Sequence, residues 1–193
     1  MGRRSSSAGR AGGRRPAAPR STPPPEDASP APSLASATLP RVWHDVGYRP
    51  LTDVTRARAL FDFAAIPWPD EVAFAWGAWM AGAGGERLVG AVAAERHATA
   101  AMLHGPVIDT RERVEDPLEV AGQLVAAAID HAGALGAATL YARPQGLDRV
   151  WVRFGFIPVP EVALPPALAG RPGAGLYAWR GGTALWTLRE LAN

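Results

Sequence analysis

The sequence predicts an α/β domain of the α+β kind, a mixed, mostly antiparallel central sheet flanked by helices. Three observations carry this. Apolar and alternating segments between residues 71 and 109 are separated by tight turns, which makes an antiparallel meander. One long amphipathic pattern follows, from Asp116 to Gly136. A short apolar run comes next, over 137–143. The intervening helix turns that run parallel to the last strand of the meander.

The elements follow in order. A first strand is expected over 42–48. Thr52 is placed to cap a helix over 53–65, with Val54, Ala57, Leu60, Phe61 and Ala64 on one face. Pro67 and Pro69 break the chain. Over 71–81 the residues alternate. Val72, Phe74, Trp76, Ala78 and Met80 point one way, and Ala73, Ala75, Gly77 and Trp79 the other, which is a strand period. A glycine-rich turn over 81–85 leads into strands over 87–97 and 98–109. Asp116 then caps the long helix, and Pro117 suits its first position. Leu118, Ala121, Val125, Ala128, Ala132 and Leu135 form its apolar stripe, and Gly136 ends it. A short helix over 145–154 and strands over 157–162 and 175–180 complete the sheet. A Pro-rich loop joins those last two strands.

The 193 residues suffice for one domain with a proper core. Residues 1–40 are built from Arg, Ser, Pro, Gly and Ala, and hold six of the 20 arginines against only Glu26 and Asp27. Such a segment buries too little apolar surface to offset the entropy of ordering. It is expected to be a disordered basic tail before a domain over 41–193. The basic pI therefore belongs to the tail, not to a binding face, and no specific nucleic-acid partner is expected. The tail lacks the apolar stretch of a secretory signal. No run of apolar residues is long enough for a membrane span. A cytoplasmic protein is the expectation.

What is missing narrows the chemistry. The chain has no Cys and no Lys, and every Ser lies at or before Ser36. Thiol, serine and Schiff-base nucleophiles are excluded from the folded part. His, carboxylates, Arg, Tyr and backbone amides remain. That set suits a reaction in which a co-substrate supplies the activated group and the protein supplies position.

The opening Leu88-Val89-Gly90 of the third strand is similar to the GNAT superfamily of N-acetyltransferases, and so is the stretch Val150-Trp151-Val152-Arg153-Phe154-Gly155-Phe156. The order of elements resembles that family over about residues 41–188. The resemblance implies acetyl-CoA as co-substrate and transfer of its acetyl group to an amine by direct attack. The acceptor would be a small amine, an amino acid or a protein N-terminus. It also implies that the long helix begins in a glycine-containing loop holding the CoA pyrophosphate. Arg113, with Arg111 beside it, stands where that motif has Arg or Gln. Val107, Ile108 and Gln145 are the other cofactor-binding positions implied.

The chain departs from the family pattern in three places. Val114, Asp116 and Leu118 stand at the loop's glycine positions, and Glu112, Glu115, Asp116 and Glu119 crowd the helix start. Trp151 stands where many members carry a Tyr that protonates the departing thiolate, and an indole has no proton of useful acidity. Pro106 lies on the strand whose backbone N–H meets the acetyl carbonyl, and it cannot donate. The alternative to an enzyme is therefore a catalytically degenerate GNAT-fold binding or interaction domain.

An amine acceptor must lose a proton, so a base is wanted near the central strands. His104 is the first choice by position, with Glu95 and His97 as alternatives. Tyr141 could replace the missing acid. A structural reading stands beside two of these: a lone His more often has a structural role, and Tyr141 reads more simply as a packed core tyrosine. His131 reads as solvated on the exposed side of the long helix, and His44 as surface. No ligand spacing supports a metal site. Trp76, Trp79, Trp151, Trp179 and Trp186 read as packing, with Trp179 and Trp186 able to line a contact between two copies.

Overall fold

The computed structural model describes residues 33–111, 114–173 and 175–180. The chain there forms α1 (Leu34–Ala37), a hairpin of β1 (Arg41–Trp43) and β2 (Val46–Pro50), a 3-10 turn (Val54–Ala57) and α2 (Arg58–Phe63). Then come β3 (Phe74–Gly82), β4 (Gly85–His97), β5 (Ala100–Ile108), α3 (Pro117–Ala134), β6 (Thr139–Ala142) and α4 (Asp148–Arg153). β7 (Ile157–Pro158) and β8 (Tyr177–Arg180) end the described chain. The strands make one sheet in the order β1-β2-β3-β4-β5-β6-β8-β7. Among the described strands only the β5–β6 pair is parallel, joined through α3, as the crossover rule requires.

Several expectations need correction. Residues 33–40 are not part of a structureless tail. Ser33 caps α1 through its hydroxyl, and Ala37 is buried where α1 meets α3. Residues 1–32 lie outside the described part. The single strand expected over 42–48 is a hairpin. Its two turn residues, His44 and Asp45, have φ of 45° and 61°. Asp accepts that left-handed conformation more readily than most residues, and two such residues in a row make the turn that strand twist favours. The helix expected over 53–65 is capped by Asp53, whose carboxylate accepts from Thr55 N, and it starts as a 3-10 turn. Strands expected over 157–162 and 175–180 shorten to β7 and β8, because two 3-10 turns take up the loop between them.

α3 is built as its sequence dictates. Asp116 caps it, Pro117 leads, and Gly136 follows with φ of 84°, a conformation that suits glycine. Its face of Ala121, Leu124, Val125 and Ala128 packs on Trp76, Val89, Ala101 and Leu140 from one side of the sheet. On the other side, Leu60 and Phe61 of α2 pack on Ala75, Ala91, Ala93 and Val107. The loop after β7 covers the rest of that side, with Leu164 and Leu168 on Met102 and Tyr141. Trp76 and Trp151 are fully buried and Trp79 nearly so, in line with the packing reading.

His131 is not on the solvated side of α3. It is buried, its ring is stacked on Phe74 with centroids 4.1 Å apart, and its Nδ1 accepts from Trp76 Nε1 at 3.1 Å. Residues 124, 128, 131 and 135 lie on one helical stripe, so its position carried the information and its polarity misled. Among the described residues no helix is long and apolar enough to cross a membrane.

Candidate active site

β5 and β6 run together only from Ala100↔Thr139 to Leu103↔Ala142, while β5 continues to Ile108. On its β4 side β5 stays paired to the end, through Gly90↔Ile108. The β6-facing edge of residues 104–108 thus has no strand partner among the described residues.

β5 also carries an irregularity that sets side-chain direction. Ala91 pairs with Val107 and Ala93 with His104, so β5 has one residue more than β4 in this interval. A bulge of this kind changes which side chains share a face. His104 and Val107 both come to the α2 side, where Val107 joins the core, while Ile108 turns to the α3 side. Gly105 sits in the bulge with φ of 89°. A Cβ there would lie 3.0 Å from Val107 N and 3.1 Å from Ala91 O. The side chains of Val107 and Ile108 are thus taken up by the two opposite cores.

His104 and Glu95 are diagonal neighbours on the antiparallel pair β4–β5. Glu95 Oε2 lies 3.0 Å from His104 Nε2 and accepts from Arg171 Nε at 2.7 Å. The carboxylate is buried, its side chain 3% exposed. Burial works to raise its pKa, but Arg171 and His104 outweigh burial and hold it below the usual carboxylate range. Burial pushes His104 below its ordinary value, with Arg171 and Arg143 adding to the effect and Glu95 opposing it. An ionised carboxylate only accepts, so the neutral imidazole donates through Nε2–H and keeps the Nδ1 lone pair open.

A cavity of about 210 Å³ adjoins this pair. Its wall is formed by residues 66–70 after α2, 102–105 of β5, Arg143 and Gln145 after β6, and 170–172 before β8. Trp68, in the first of these segments, meets Phe61 edge to face with centroids 5.0 Å apart. Arg143 donates to both carboxylate oxygens of Glu161, at 2.6 and 2.7 Å, and to Gly175 O at 3.2 Å. Two buried polar atoms, Arg143 Nε in this wall and Glu95 Oε1 of the adjoining pair, lack a hydrogen-bond partner among the described residues.

Of the residues singled out from the sequence, the structure brings together His104, Glu95 and Gln145. Tyr141 is elsewhere: its hydroxyl donates to Ala163 O at 2.8 Å, and it is not part of the cavity wall. His97 is exposed at the end of β4. Arg111 donates to both oxygens of Asp109 at 2.8 Å and lies 4.1 Å from the Phe63 ring centroid. These contacts, with Arg87 nearby, hold Asp109 down at about 2. Arg113 lies outside the described residues, as does Trp186. Arg171 and Arg143 were not anticipated. Arginine replaces lysine everywhere in this chain, so no single arginine stands out, and Arg171 is 76 positions from Glu95.

No family model and no curated protein matches this sequence. Solved structures do. N-acetylglutamate synthase from Neisseria gonorrhoeae, complexed with coenzyme A and N-acetyl-glutamate, is similar over 72% of this chain at 18% identity, with a TM-score of 0.53. The catalytic domain of a Tetrahymena histone acetyltransferase, in complex with coenzyme A, is similar over 72% of this chain and 95% of its own, at 11% identity and a TM-score of 0.52. The fold is that of the GNAT acetyltransferases. A putative acyl-CoA N-acyltransferase from Klebsiella pneumoniae matches 69% of this chain and 97% of its own, at 15% identity and a TM-score of 0.50. The chain spans about a third of the length of the N-acetylglutamate synthase, 35%.

Two of these solved structures, the N-acetylglutamate synthase and the histone acetyltransferase domain, hold coenzyme A. On the β6 side of β5, residues 104–108 have no strand partner among the described residues, and Pro106 within them has no N–H. The start of α3 does not fit the diphosphate. Asp116 Oδ1 accepts from Leu118 N and Glu119 N, both at 3.1 Å, and Asp116 O accepts from Val120 N at 3.0 Å. Pro117 has no N–H. The amides that a helix N-terminus would turn to an anion are therefore already taken. Trp151 is fully buried, edge-on to Phe156, and shows no face to the cavity.

Proposed function

We propose that this protein is an N-acyltransferase, acting in the cytoplasm, that moves an acetyl group from a thioester such as acetyl-CoA to an amine. The observation that carries the reading is the Glu95–His104 pair beside a cavity where β5 and β6 part. A thioester bound along the free edge of β5 supplies the activated acyl group. The chain's own residues manage a proton. Glu95 holds the His104 ring through Nε2–H and selects its tautomer, as carboxylates do for catalytic imidazoles. As the amine nitrogen bonds to the thioester carbonyl carbon, His104 Nδ1 takes the proton that the nitrogen loses. The C–S bond breaks, and the leaving sulfur departs as a thiol with a proton from the His104 imidazolium or from water. Burial keeps His104 neutral, and so able to accept, through neutral pH. Arg171 fixes Glu95 and keeps it ionised. In this reading the amine enters by the cavity, past Trp68 and Gln145.

The test is an acetylation assay of the full chain with acetyl-CoA against a panel of small amines, amino acids and peptides, repeated with His104→Ala. Transfer that falls by about 10²–10⁴ in the variant supports the reading, since that is the usual worth of a positioned base. Equal rates in the two proteins would remove His104 from the chemistry.

A second reading, a GNAT-shaped binding domain without catalysis, is favoured by one observation: the start of α3 is closed by Asp116. Under it, neither transfer nor binding of a thioester is found.

A further inference from the structure

The two halves of the CoA-binding surface disagree, and the disagreement is specific. Beside β5, residues 104–108 lack a strand partner on the β6 side among the described residues, while the amides of Leu118 and Glu119 at the helix start are taken. Around the filled amides the charge is also wrong for a diphosphate. Glu115 and Glu119 stand with Asp116 at this end of α3. Glu119 is drawn to Arg153 and accepts from Gln123 at 2.9 Å, so those side chains already have a partner. A diphosphate placed there would have to displace one carboxylate from two amides and sit among two others. At the end of β5, the Arg111 guanidinium is turned back onto Asp109 and Phe63.

We propose that the donor is recognised by its pantetheine arm and not by its nucleotide, because Asp116 occupies the diphosphate seat of α3. This rests on the acyl-transfer reading and narrows its substrate class. The chain would use acyl thioesters of pantetheine as well as those of CoA, since among the described residues the amides of Leu118 and Glu119 are already held by Asp116. The amide-bearing arm and the thioester are common to both donors, and the residues that would meet them, 104–108 of β5, are the same.

Calorimetric titration of the full chain with CoA and with pantetheine tests this without requiring an acceptor. The wild-type protein is expected to bind the two within about threefold of each other, well short of the tenfold that 1.4 kcal/mol represents. Asp116→Gly frees both amides, and glycine at a helix cap costs little stability. That variant is expected to tighten CoA roughly tenfold and leave pantetheine unchanged. Asp116→Asn keeps an oxygen on the two amides and should stay within about threefold of wild type for both ligands. CoA binding to the wild type more than about thirtyfold tighter than pantetheine would overturn the inference and leave the acyltransferase reading standing. So would an Asp116→Gly protein that is folded but no better at holding CoA. Failure of both ligands to bind at millimolar concentration would overturn the inference and the thioester-donor reading together.

Discussion

Arg171 Nε donates to Glu95 Oε2 at 2.7 Å, so the loop before β8 is fastened to the same oxygen that contacts His104. A strand residue and a loop residue thereby control the protonation of a third group. Their influences on His104 have opposite signs: the Glu95 charge raises its pKa and the Arg171 charge lowers it.

The pH profile of transfer should report those signs. With His104 as the proposed base, the acid limb of kcat/KM is expected to be its protonation. Arg171→Ala should move that limb to higher pH, because a cation is removed and the ring is less desolvated. Glu95→Gln should move it to lower pH, because the charge that favours imidazolium is gone. Shifts in the same direction for both variants would contradict the assigned contacts.

His104→Ala should lower kcat by about 10²–10⁴ with KM for the amine changed far less, since the ring acts on a proton and not on affinity. Steady-state kinetics at saturating donor give the split. A loss confined to KM would make His104 a binding residue.

Gly105→Ala should both destabilise the domain and reduce activity. Its φ of 89° disfavours any side chain, and the added carbon would meet main-chain atoms at 3.0 and 3.1 Å that cannot give way cheaply. A cost of about 1–3 kcal/mol is expected from urea unfolding. Activity should fall further than the folded fraction, because the bulge sets the direction of His104.

His131 should make stability pH-dependent. Burial depresses its folded pKa below the unfolded value. The unfolded state then binds more protons as pH falls below about 6.5, so stability is full above that and declines below it. Protonation also ends acceptance of the Trp76 N–H. His131→Leu should flatten part of this decline. At pH 7 it should cost about 1–3 kcal/mol by leaving a buried indole N–H unpaired. Thermal melts between pH 5 and 8 measure both. An unchanged slope in the variant would assign the decline to other groups.

Much of this protein was determined locally and could be read from its residues. Asp116, Pro117 and Gly136 mark the ends of α3 because capping and φ restrictions act within a few residues. The alternation around Trp76 gives β3 because side chains of a strand change face at every step. The parallel pairing of β5 with β6 follows from the helix between them. The filled helix start was visible too, since a cap meets amides only two and three residues away. Tertiary structure decided the rest. His131 is buried because a helical stripe turns it to the sheet against its polarity. His44 and Asp45 turn a predicted strand into a hairpin because β2 pairs with β3. Glu95, His104 and Arg171 form one cluster because β4, β5 and a distant loop converge, and chain positions 76 apart carry no local signal of meeting. Short-range sterics write themselves into neighbouring residues, while the electrostatics of the site depend on which segments the whole fold brings within about 3 Å of each other.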